Sequence, residues 1–179
     1  GAMLVSGTAL AEGVSVKEFR QLRINFLDFT ALIFTSKTTV DHYFRLCNEM
    51  KITVPDSMKY FCSTESTAYY LQKYIVYRKR KIFFSSNNVK ELLALILKHS
   101  GEKFLLPLAD IHSQEIPILL NKNKISYSKA ILYSSTCSDL SNLTDLSYDI
   151  IVFFSPIGVK SLFQNFPKYK QRGMYVACF

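Results

Sequence analysis

The sequence has no apolar run approaching the roughly 18 residues that span a bilayer, which excludes a membrane-spanning helix. No signal peptide is visible at its start, and Gly1-Ala2-Met3 reads as the scar of a cleaved tag rather than as part of the fold. Cysteines are few and scattered: Cys47, Cys62, Cys137 and Cys178 include no C-x-x-C pair. That usage fits buried free thiols in a reducing, cytoplasmic compartment. His42, His99 and His112 share no metal-ligand spacing with these cysteines, so no metal is expected. There is also no G-x-G-x-x-G, no P-loop, no G-x-S-x-G and no H-E-x-x-H. Nothing therefore calls for a dinucleotide, a nucleoside triphosphate or any other cofactor.

What is present describes a well-packed basic protein. Of 179 residues, 49% are hydrophobic and 14% aromatic, enough for a substantial core and too many for a disordered chain. Lysine and arginine number 22 against 14 acidic residues, a formal charge of +8. Such a balance favours an anionic partner without choosing among nucleic acid, lipid and a polycarboxylate or phosphate. The densest basic run, Arg78-Lys79-Arg80-Lys81, lies between a helical pattern and a strand, where cations complement a helix C-terminus. No nucleic-acid-binding motif accompanies it, so no nucleic-acid partner is expected.

Short apolar runs alternate with longer amphipathic ones. Residues 31–36, 59–63, 81–85 and 104–108 read as strands. Between and after them lie helical patterns: Val40, Tyr43, Phe44, Cys47 and Met50; Thr64 to Tyr74; Leu92, Leu93, Ile96 and Leu97; and Ser113 to Asn121. The strand runs are continuously apolar, as in a parallel sheet covered on both faces. Their alternation with helices predicts a doubly wound α/β domain. Residues 124–133 read as a long strand that could leave this sheet, and the Ser/Thr/Asp/Asn-rich stretch from Ser134 to Thr144 as a linker. Asp149–Ser155, Pro156–Phe166 and Met174–Phe179 then predict a strand, a helix and a strand.

Ala31 to Phe44 and Ile150 to Phe163 align without gaps on Ser36 and Ser155, matching Phe34 with Phe153 and Val40 with Val159. Two similar α/β units follow from that likeness, the second incomplete.

Hydroxyls gather at three strand ends, as Thr35-Ser36, Ser63-Thr64 with Ser66-Thr67, and Ser155-Pro156. Each is explained singly by helix capping, and Pro156 suits a first helical position. Together they place several helix N-termini at the carboxyl edge of a parallel sheet, where open α/β folds bind ligands and where N–H groups suit anions. Asp110 and Glu115 are candidate carboxylates that nothing pairs as acid and base. Tyr133, ending the long strand beside a hydroxyl-rich stretch, is the most suggestive single side chain.

These segments resemble, in order and approximate spacing, the uroporphyrinogen-III synthase family. The resemblance is carried by Leu32-Ile33-Phe34-Thr35-Ser36, Ser66-Thr67-Ala68 with Leu71, Leu105-Leu106-Pro107, Ile131-Leu132-Tyr133 and Val152-Phe153-Phe154-Ser155-Pro156. It runs from about Val14 to Phe179, with wording most similar to divergent Bacteroidetes-type members. It implies two doubly wound, flavodoxin-like parallel-sheet domains joined by a two-stranded ribbon. Residues 16–125 would be the complete inserted domain. Residues 1–15 would be a remnant of the first domain with a linking strand, 126–133 the second linking strand, and 134–179 a partial return segment. The family's opening strand and helix, and a Gly-x-x-Thr-Ala motif after Phe179, have no counterpart here, and Thr64 stands where an internal motif of that kind has glycine.

The resemblance also implies an activity. A hydro-lyase without cofactor would close hydroxymethylbilane, a linear tetrapyrrole polycarboxylate, into uroporphyrinogen III with inversion of the last ring, a step of haem biosynthesis. Tyr133 would assist hydroxide departure, while Ser36, Thr67 and Ser155, with Thr35 and Ser66, would hold carboxylates. A monomer with no membrane or nucleic-acid partner is expected. The competing reading is a non-catalytic α/β module that binds a small anion.

Overall fold

The computed structural model describes residues 10–136, 149–153, 156–171, 173 and 175–178. The chain divides into two compact units, one of residues 13–134 and the other of residues 1–12 with 135–179.

The larger unit is a mostly parallel sheet wound on both sides. In chain order its elements are β1 (Leu10–Gly13, entering from the other unit), α1 (Val16–Gln21), β2 (Ala31–Phe34), α2 (Lys37–Glu49), β3 (Lys59–Cys62), α3 (Glu65–Tyr70), β4 (Ile82–Phe84), α4 (Val89–Leu97), β5 (Phe104–Ala109), α5 (Glu115–Lys122) and β6 (Tyr127–Thr136). The strands lie in the order β1-β6-β5-β2-β3-β4, with β2 to β6 all pairing in parallel. Counted from β2 this is 3-2-1-4-5, the order of the doubly wound dinucleotide-binding sheet through its fifth strand, whereas flavodoxin itself runs 2-1-3-4-5.

Side-chain alternation splits the core into two layers. Leu32 and Phe34 of β2, Tyr60 and Cys62 of β3, and Ala130 and Leu132 of β6 join Phe19, Tyr43, Ala68 and Leu71 beneath α1, α2 and α3. Ala31 and Ile33, Phe61, and Phe104, Leu106 and Leu108 join Leu92, Ile96 and Leu120 beneath α4 and α5. The central strands are buried on both faces, which explains their continuous apolar runs.

Three details differ from the reading of the sequence. The helical pattern from Thr64 to Tyr74 is an α-helix only to Tyr70, then a 3-10 turn over Leu71–Lys73. Helix α1, absent from that reading, is closed by a capping box in which Ser15 and Glu18 satisfy each other's backbone N–H groups. The long strand β6 stays in the sheet, pairing in parallel with β5 from Phe104↔Tyr127 to Ala109↔Tyr133. Those pairings satisfy backbone groups that a departing strand would leave open.

In the second unit, β7 (Ile150–Phe153), α6 (Pro156–Asn165) and β8 (Tyr175–Cys178) form one parallel crossover with Ile150 opposite Tyr175. Gly158 lets α6 approach the strand: a Cβ there would lie 3.3 Å from the Phe153 ring.

Candidate active site

Winding reverses between β2 and β5, because α2 leaves β2 over one face while α5 leaves β5 over the other. A crevice at the carboxyl ends of these two strands is the expected ligand position in such a sheet.

The strand ends along this edge are tied by serines. The Ser85 hydroxyl, in a residue only 3% exposed, donates to the Ser63 carbonyl at 2.8 Å. The Ser63 hydroxyl donates in turn to the Thr35 carbonyl at 3.1 Å. The tips of β4, β3 and β2 are therefore clipped together just past their last paired residues.

Behind these clips the helices begin. Ser36 caps α2, accepting from the Thr39 N–H at 3.2 Å, while the Thr39 hydroxyl donates to the Ser36 carbonyl at 2.7 Å. Thr64 caps α3, accepting from the Thr67 N–H at 3.1 Å. The Thr67 side chain is 4% exposed, its hydroxyl 2.9 Å from that of Thr64. Ser66 lies exposed in the first turn of α3, and Thr35 is half-buried at the end of β2. Ser155 falls outside the described residues.

Across the switch, Asp110 follows β5 and caps its own turn through the Ile111 N–H at 2.8 Å. His112 turns back so that Nδ1 lies 2.7 Å from the Ala109 carbonyl, which makes Nδ1 the protonated nitrogen. Glu115 opens α5, its N–H donating to the Ser113 hydroxyl at 3.2 Å.

Tyr133 sits at the end of β6, and its direction is set by a slip in register. Leu108 pairs with Ile131, but the next residue, Ala109, pairs with Tyr133, so Leu132 is an extra residue on β6. Strict alternation would send Tyr133 to the α4–α5 face together with Ile131. The bulge turns it instead to the α2 face, where it packs beside Leu132 and stacks on His42 with ring centroids 4.8 Å apart and planes 20° apart.

Three further α2 residues mark this neighbourhood. Arg45 donates from Nε to His42 Nδ1 at 3.3 Å, from Nη2 to the Val14 carbonyl at 2.8 Å, and from Nη1 to Glu49 at 3.0 Å. Burial and the Arg45 charge hold His42 below the usual imidazole value, against the pull of Asp41. Asp41 itself gathers Tyr70, Tyr74 and Lys73. Burial works against its ionisation, yet the bonds from Tyr74, Lys73 and Tyr70 outweigh it and keep the carboxyl below its ordinary range. His42, Arg45 and Asp41 were not legible as site residues. The periodicity marks the buried stripe of α2, while the partners that tie these residues to the rest of the unit, Val14, Tyr70 and Tyr133, lie about 30 residues away or more.

Among the described residues no cluster of three or more His, Cys, Asp or Glu side chains could hold a metal, and no helix is long and apolar enough to cross a membrane.

The family described as Uroporphyrinogen-III synthase HemD matches residues 10–179. No curated protein matches the sequence. Among solved structures, uroporphyrinogen-III synthetase from Helicobacter pylori superposes with a TM-score of 0.65 at 19% identity, over 96% of this chain and 75% of that one. Uroporphyrinogen III synthase from the extreme thermophile Thermus thermophilus superposes with TM-scores of 0.59 for a mutant and 0.57 for the wild type. Identities there are 14% and 16%, over 88% of this chain and 65% of each of those. At such identities the likeness is one of fold.

Proposed function

The chain belongs to the uroporphyrinogen-III synthase family, and from that premise we propose that it cyclises hydroxymethylbilane to uroporphyrinogen III as a hydro-lyase. The substrate is a flexible chain of four pyrroles carrying carboxylate arms. Hydroxide leaves its terminal hydroxymethyl carbon readily, and the ring can close without a catalyst when no inversion is required. The protein's task is mainly orientation, which rewards many modest contacts over one strong acid or base.

The observation that supports this reading best is the edge where β2, β3 and β4 end. Clipped strand tips, the capped start of α2, the half-buried Thr35 and the exposed Ser66 lie along that edge, and Tyr133 ends β6 on the same edge of the sheet, two strands from β2. Helix N-termini suit carboxylates through their free N–H groups and dipole, and the net charge of +8 favours a polyanion.

Within this reading Tyr133 assists hydroxide departure by donating a hydrogen bond. Thr35, Ser36 and Ser66 hold carboxylates with adjacent backbone N–H groups. Thr67, buried against Thr64, contributes by keeping the start of α3 in place. Ser155 is assigned to a carboxylate by the family resemblance and by its place between a strand and the start of α6 in the sequence. Residues 16–125 act as the inserted domain, 1–15 as a remnant of the other domain with a linking strand, 126–133 as the second linking strand, which pairs with β5 as it runs back, and 134–179 as a partial return segment of the other domain. The protein works as a cytoplasmic monomer.

The test is incubation with freshly generated hydroxymethylbilane, scoring isomer III against isomer I by chromatography, on this chain and on one extended at both ends. Isomer III in excess is expected. Isomer I alone from both would remove the reading.

A further inference from the structure

The bulge that turns Tyr133 towards α2 delivers it to a ring held from behind. The His42 imidazole stacks on the phenol. Its Nδ1 accepts from Arg45 Nε, so the remaining proton is on Nε2. Arg45 is itself immobilised, by both oxygens of Glu49 and by the Val14 carbonyl. Val14 closes the circuit, since its N–H donates to the Leu132 carbonyl at 2.9 Å, on the residue just before Tyr133. The path Tyr133–Leu132–Val14–Arg45–His42 therefore returns to Tyr133 through one ring stack and three hydrogen bonds.

Gly13 marks how tightly this circuit is closed. A Cβ there would stand 2.6 Å from Arg45 Nη2 and 2.7 Å from His42 Nδ1. Only glycine lets β1 run past the histidine and arginine without displacing them. A stacked pair whose outer ring is anchored at one nitrogen has its ring plane defined, and with it the position of the phenol oxygen. The surroundings suit this purpose: neither ring is fully buried, so core packing alone does not fix either one.

We infer that His42, anchored by Arg45, is a positioning residue for Tyr133. It holds the phenol plane so that the hydroxyl meets the departing group in one orientation. The inference rests on the assignment of Tyr133 to hydroxide departure. His42 does not touch substrate in this account and transfers no proton.

The experiment compares wild type, His42→Leu, His42→Phe, Gly13→Ala, Tyr133→Phe and Tyr133→Leu. Kinetics of isomer III formation are combined with histidine-ring carbon–proton NMR spectra. His42→Leu should lower kcat about tenfold, the scale expected when a reacting group loses its orientation, and leave KM within about twofold. His42→Phe keeps a flat ring against Tyr133 and should recover most of kcat. Gly13→Ala, which leaves both rings intact, should lower kcat in the same sense and keeps the idea testable if the leucine variant folds poorly. The His42 ring signal should move in Tyr133→Leu and stay in Tyr133→Phe.

If Tyr133→Phe is slow while His42→Leu matches wild type, the positioning role is overturned and the assigned reaction stands. If His42→Phe is as slow as His42→Leu, the stack is not what matters and the inference also fails. Wild type giving isomer I alone removes the reaction and this inference with it.

Discussion

Asp41 of α2 and Tyr70 of α3 are joined face-on: the Tyr70 hydroxyl lies 2.9 Å from each oxygen of the Asp41 carboxylate. Tyr74 adds a second phenol and Lys73 an ammonium at 3.0 Å. This one carboxylate fastens the short helix α3 and the 3-10 turn after it onto α2. It does so where the Tyr74 ring also stacks on Phe44, with centroids 4.6 Å apart.

Asp41→Asn should therefore change how stability responds to acid. The folded carboxyl ionises below its usual value of 3.8, so the group's contribution is fully present above the unfolded range and fades as pH falls through the lowered folded value. Wild type should lose stability between about pH 5 and pH 2 more steeply than the variant. The cost at pH 7 should be about 1 kcal/mol, because water can replace part of what a half-exposed carboxylate gives up. Thermal melts at neutral and at progressively acid pH would decide; parallel pH profiles would remove Asp41 from the account.

Ser85→Ala should cost about 1 kcal/mol, since its buried hydroxyl is a hydrogen-bond donor to the Ser63 carbonyl. Ser63→Ala should cost a similar amount through Thr35. Hydrogen exchange gives a sharper reading than melting. Both variants should loosen amides at the tips of β2–β4 and leave the starts of those strands protected.

Thr64→Ala should weaken α3 by about 1 kcal/mol, the usual loss for a hydroxyl N-cap. Thr67→Val keeps that cap and removes only the hydroxyl paired with it, so a smaller loss is expected in urea titrations. A rise in KM for Thr67→Val with unchanged stability would instead make Thr67 a direct carboxylate ligand.

Cys47 and Cys62 should resist alkylation while the protein is folded. Burial pushes the Cys47 thiol up to about 11, with the Tyr43 contact opposing, and the Cys62 thiol up to about 12. At mildly alkaline pH almost no thiolate is present at either position. Peptide mass spectrometry after brief iodoacetamide treatment should find both unmodified until denaturant is added.

Tyr133→Phe should slow isomer III formation roughly a hundredfold if the hydroxyl assists hydroxide departure, the low end of what a positioned proton donor supplies. The fold should be untouched, because the ring and its stack on His42 remain. An unchanged rate would take Tyr133 out of the mechanism.

Much of this was written locally. The buried strands β2, β3 and β5 announce themselves as apolar runs, and α2 and α4 by recurring apolar residues. The caps Ser36 and Thr64 stand just before their helices. These signals are legible because burial and capping act on residues within a turn or two of one another. Helix α1 escaped because six residues carry too little periodicity.

The alternation of elements, the two-faced burial of the central strands and the hydroxyls at their ends were thus determined by the sequence alone, as was the family. Tertiary structure decided what Tyr133 does with its position. The register between β5 and β6 slips by one residue only when two strands separated by a whole helix meet. That slip chooses which face Tyr133 occupies, and so which ring it stacks on. The Arg45–Val14 bond and the close passage of Gly13 beside His42 likewise join segments distant in the chain. No local pattern encodes such pairings, because the forces that set them exist only once the segments are side by side.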